Sequence, residues 1–97
     1  MDRINRWFKM PIGMQISNIG SEVGRAIRRK NENDEYSKIN YAIKAIELIG
    51  LTKLDPKNIK RVKELNYCEI ELIDYIFDNN LYGNDDESIM KFYNQWL

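Results

Sequence analysis

Carboxylates are the residues of this 97-residue chain best spaced to do chemistry. Glu71, Asp74 and Asp78 stand at i, i+3 and i+7, which puts three acids on one face of a helix. Such a row could hold a hard cation weakly if Asp85 or Asp86 came near. The three also lie opposite the apolar side of their segment, and that placement favours a solvated acidic face. Glu69 differs from them because it projects onto the apolar side, with Asn66 close by. An ionised carboxylate there must pair, reach water or take up a proton. The expectation is a partly buried acid in a structural salt bridge to Arg25, Arg28 or Arg61.

Other reactive groups are scarce. The chain has no histidine, and so lacks the commonest general base and metal ligand. Its single cysteine, Cys68, falls on an apolar helix face, where a thiol is a small core hydrophobe rather than a nucleophile. No Walker loop, GxGxxG, CxxC pair or GxSxG is present. The sequence therefore predicts no catalytic residue, no cofactor, no metal and no small-molecule substrate, and a protein that is not an enzyme.

Charge is balanced overall and uneven along the chain. Residues 1–30 carry seven basic and two acidic groups, net +5, whereas residues 67–97 carry one basic and seven acidic groups, net −6. Two ends of opposite sign can pack side by side and neutralise each other, which is the favoured reading. The other reading is a basic surface for nucleic acid, built from Arg25, Arg28 and Arg29 with Lys53, Lys57, Lys60, Arg61 and Lys63. Asp55, Glu64 and the acidic last third dilute that field, and helix-turn-helix spacing is not recognisable.

The elements that must position these residues all read as helical. Apolar residues make up 43% of the chain and charged ones 31%, the balance of an ordinary globular domain. A single cysteine, no signal-peptide pattern and no apolar run long enough to span a bilayer point to a cytoplasmic protein with no membrane partner. Fourteen Ile, eleven Asn and nine Lys against six Arg suggest AT-rich coding, and with it a low-GC bacterial source or the phage of one.

Residues 1–11 read as a short N-terminal arm, with Asp2 as helix cap and a Trp7-Phe8 pair that docks onto the core. Its alternative is an Arg-and-aromatic arm that touches nucleic acid or a membrane surface. Residues 12–97 read as a four-helix bundle, up-down-up-down, with helices over 12–30, 35–50, 56–79 and 85–96. Tyr36, Ile39, Ile43 and Ile46 give the second helix its main stripe, and Gly50 suits a left-handed C-cap. Asp55-Pro56 starts the third helix, whose inner face reads Ile59, Val62, Leu65, Cys68, Ile70, Leu72, Ile73, Ile76 and Phe77. Asn84 with Glu87 resembles a capping box before the last helix, with Leu97 at that helix's margin.

The first long helix breaks a rule that the others keep. Gly13, Ser17, Gly20 and Gly24 form a smooth strip beside Ile12, Ile16, Ile19, Val23 and Ile27. Each interior glycine costs about 1 kcal/mol of helix stability relative to alanine. That loss persists where a close backbone approach recovers it, either inside the bundle or across a dimer interface. The strip is therefore the candidate partner-binding surface, and Glu69 the candidate buried acid.

With Met14–Arg28 (MQISNIGSEVGRAIR), Asp55-Pro56-Lys57-Asn58, and Asp74-Tyr75 through Tyr82-Gly83 in view, the chain resembles a family of small, all-helical bacterial and archaeal proteins. That family carries a similar N-I-G-S-E-V-x-R-A segment, a D-P-K-N turn and an aromatic-rich last helix. The resemblance implies a fold and no activity, and Gly24 stands where it implies a larger residue. The expected function is a non-enzymatic module that binds another protein or itself, as a homodimer for example. The alternative is a small nucleic-acid-associated regulator that uses the basic N-terminal third.

Overall fold

Asp2, Asp34, Asp55 and Asp85 each accept a backbone N–H two or three residues ahead, and each opens a helical segment. The computed structural model, which describes residues 2–96, has five α-helices and one 3-10 segment, and these caps open four of the six. They are α1 (Arg3–Phe8), α2 (Ile12–Asn31), α3 (Glu35–Leu54), the 3-10 segment Pro56–Arg61, α4 (Val62–Phe77) and α5 (Asp86–Asn94). No strand occurs among the described residues. Leu97, expected at the margin of the last helix, lies outside them.

Three of the departures from the expected boundaries have a cause visible in the structure. Gly50 is not a C-cap: it keeps helical geometry, and α3 runs on to Leu54, where Asp55 and Pro56 stop it. Tertiary contacts carry the helix past the glycine, because Thr52 in its last turn accepts a hydrogen bond from Trp7 Nε1 at 3.0 Å. The expected third helix opens as a 3-10 segment, where Asn58 donates to the Thr52 carbonyl at 3.0 Å and is drawn inward. The last helix starts one residue late. Its capping box joins Asp85 to Ser88, and Asn84 accepts from Ser88 Oγ at 2.9 Å instead of capping.

The core lies between α2 and α3, the most extensively packed pair. Ile16, Ile19, Val23 and Ala26 of α2 face Ala42, Ala45 and Ile49 of α3, all fully buried. The buried line of α3 is thus the flank of its expected stripe, while Tyr36 and Ile43 point outward. α5 closes one side of α2 with Ile89 and Tyr93, and α4 closes α3 with Leu65, Leu72 and Ile76. α4 and α5 barely touch each other. Trp7 is buried, so the N-terminal arm lies on the core. No helix among the described residues is long and apolar enough to cross a membrane.

Candidate functional site

The glycine strip has a neighbour in its own chain. A Cβ on Gly20 would lie 2.8 Å from Tyr93 Cβ, whereas one on Gly24 would meet only Met90 Cε at 4.0 Å. One on Gly13 would lie 3.7 Å from the Trp96 ring, and Ser17 is half-buried between these positions. α5 therefore lies along the strip, and the close approach that glycine permits is used inside the chain, most tightly at Gly20.

A polar centre holds the N-terminal arm, α2, α3 and the 3-10 segment together. Gln15 is fully buried; its Nε2 donates to the Trp7 carbonyl and to Asp55 Oδ2, each at 2.9 Å. Its Oε1 accepts from Asn58 Nδ2 at 2.9 Å. Lys57 pairs with Asp55 and also donates to the Phe8 carbonyl at 2.9 Å. Burial pushes the Asp55 carboxyl up, but the donors Lys57 and Gln15 outweigh it, and the group sits below the ordinary carboxylate value. Each member has a partner, and the cluster serves as structure.

The acids fall differently from their projected row. Asp74 is buried, not solvated: its carboxylate accepts the backbone N–H groups of Leu81 at 2.8 Å and Tyr82 at 3.1 Å. Glu71 accepts from Asn84 Nδ2 at 3.0 Å, and Asp78 alone of the three is exposed and free of ion pairs among the described residues. No group of acids, cysteine and histidine that could hold a metal comes together among the described residues. Glu69 is partly buried and pairs with Lys53 at 3.0 Å rather than with Arg25, Arg28 or Arg61. Arg25 and Arg61 instead pair with Glu22 and Glu64, each three residues away in the chain.

Through Asp74 the turn between α4 and α5 becomes a built loop. Asn80 and Gly83 take left-handed backbone conformations, at φ 53° and 67°. Asn80 Oδ1 accepts the Asn84 N–H at 2.9 Å while its Nδ2 donates to the Asn84 carbonyl at 2.8 Å. What this ordered loop presents is apolar: Leu81 is 80% exposed, and the exposed Tyr82 ring stands edge-on to Tyr67, 6.3 Å between centroids. Beside it, α4 turns Ile70, Ile73 and Phe77 outward, with exposures of 49%, 39% and 45%. About half of the inner face expected over 56–79 thus faces out, Ile59 of the 3-10 segment included, because α4 packs one side on α3 and touches α5 only lightly. Leu65, Cys68, Leu72 and Ile76 suffice for the core contact.

Two further groups were singled out by type. Burial, then the charges of Glu71 and Glu64, push the Cys68 thiol up to about 12, which leaves it unreactive at neutral pH. Four of the seven basic residues in 1–30 are paired: Arg3 with Glu47, Arg25 with Glu22, Arg29 with Glu32, and Lys30 with Asp86 and the Tyr75 hydroxyl. Lys30 and Asp86 join the two ends of opposite sign across α2 and α5.

Sequence reasoning missed Gln15 and the buried roles of Asn58 and Asp74. A glutamine inside the apolar period of α2 was a signal for the first. An acid one turn before Asn-Asn-Leu-Tyr-Gly was a signal for the third. No family model matches the chain, nor does any curated protein or solved structure.

Proposed function

We propose that this chain is a non-enzymatic protein-docking module, a small helical bundle of up-down-up-down form whose docking surface is the outer face of α4 with the 78–85 loop. The observation that supports it is Asp74. A buried carboxylate and two left-handed residues hold a loop in one shape, and that loop displays Leu81 and Tyr82 next to Ile70, Ile73 and Phe77. Ordering a loop costs conformational entropy, and an apolar display in water returns nothing unless a partner covers it. Aromatic and branched side chains already held in place are the usual anchors of a protein interface.

A photo-crosslinking residue at position 73 tests the reading in cells of the source organism. It is expected to give a protein adduct, while the same residue at Ser21, on the exposed side of α2, gives none. Adducts at neither position, or at 21 alone, would overturn the proposal.

A further inference from the structure

α4 carries its charge in one order. Its N-terminal approach bears Lys60 and Lys63, and its C-terminal end bears Asp78; all three are exposed and lack an ion pair among the described residues. The last turn of α4 has no basic residue, so the negative end of its helix dipole has no side-chain counter-charge there. Ile70 lies midway between Lys63 and Phe77 in the chain. Turning α4 end for end about Ile70 therefore brings the basic end of one helix to the acidic end of another, and lays an apolar middle on an apolar middle.

We infer that the occupant of this face is a second copy of the chain, its α4 packed antiparallel on a two-fold axis at Ile70. The inference rests on the reading of the α4 face as a docking surface and names its partner. A two-fold contact must be self-complementary, each residue type meeting its counterpart twice. Here Ile70 meets Ile70 of the second copy, Tyr67 meets Ile73, and Lys63 reaches Phe77 and Asp78. The lysine thus approaches both an aromatic face and a carboxylate, while supplying the cation that the end of the opposing helix lacks. A partner helix laid parallel would instead set Lys63 near Lys63 and Asp78 near Asp78, which repel.

Sedimentation equilibrium over micromolar to millimolar concentration tests this on the wild type, Lys63→Asp, Asp78→Lys and the double exchange. The wild type is expected to approach twice the chain mass. Each single change should weaken association about tenfold, since it sets like charges together twice across the axis. The double exchange, which restores opposite charges at both places, should recover most of the loss. Recovery is the decisive outcome, because a variant damaged in folding would be damaged further by the second change. A wild type that stays monomeric throughout, or a dimer indifferent to all three variants, overturns the second copy as occupant. If a monomeric wild type still gives an adduct from position 73 to a different protein, the docking reading stands without this partner. A monomer with no adduct removes both.

Discussion

Tyr93 sits on Gly20 so closely that a Cβ on the glycine would lie 2.8 Å from the tyrosine Cβ and 3.3 Å from its Cγ. Neither atom is the free end of a flexible side chain, so the helices themselves would have to part. Gly20→Ala should therefore destabilise the protein by about 1–3 kcal/mol through overpacking. Gly24→Ala meets only the end of Met90 at 4.0 Å, and Gly50→Ala meets nothing within 4 Å. Each of those should stabilise by about 0.5–1 kcal/mol, because only helix propensity changes. Urea unfolding midpoints of the three variants check the split, and equal shifts in one direction would contradict it.

The polar centre gives a pH signature. Asp55 has its carboxyl lowered in the folded chain from the ordinary 3.8. As pH falls, the unfolded chain binds its proton first, so the stabilisation by Asp55 is complete above that value. It is lost as pH falls through the lowered folded value. Asp34, Asp85 and Asp86 are lowered too, so acid destabilisation is shared among them. Asp55→Asn should flatten the fall in stability below pH 4 without abolishing it, as read from urea unfolding along a pH series. Gln15→Ala, which strips partners from Asp55 and Asn58 at once, should cost about 2–4 kcal/mol at neutral pH.

Two acids on α4 should separate cleanly. Asp74→Ala leaves the Leu81 and Tyr82 amides without their acceptor and should cost about 2 kcal/mol, with faster hydrogen exchange at those two amides. Glu69→Gln loses one partly buried ion pair with Lys53 but keeps a side chain that can still hydrogen-bond it, and should cost about 1 kcal/mol, less than Asp74→Ala. If Glu69→Gln were the more damaging change, the assignment of the buried acid would be reversed.

Cys68 should label slowly in the native protein. Between the ordinary thiol value of 9.0 and about 12, the thiolate present at neutral pH falls about a thousandfold. Iodoacetamide kinetics in buffer and in urea measure the ratio, and native labelling at the unfolded rate would contradict the burial.

Helix identity was legible in the sequence because capping acids and apolar periods are local signals. Asp2 and the Asp55-Pro56 pair mark the starts of their helical segments where the structure has them. The glycine strip announced a close approach, and the structure supplies its own α5 as the neighbour. What was not legible depends on partners distant in the chain. Gly50 continues a helix because Trp7, 43 residues earlier, anchors the turn beyond it at Thr52. Asp74 sits at a solvent angle on the helical wheel, yet the returning loop buries it. Ile70, Ile73 and Phe77 read as core because period alone cannot tell an apolar face that the chain covers from one that it leaves exposed.

Whether the α4 face serves contact with another protein rather than folding is tested most directly by Ile70→Lys, assayed for both. The residue is 49% exposed, so the variant should unfold within about 1 kcal/mol of the wild type at low protein concentration. The position-73 adduct should disappear with it. An adduct that survives Ile70→Lys, or a chain that no longer folds, would contradict the account.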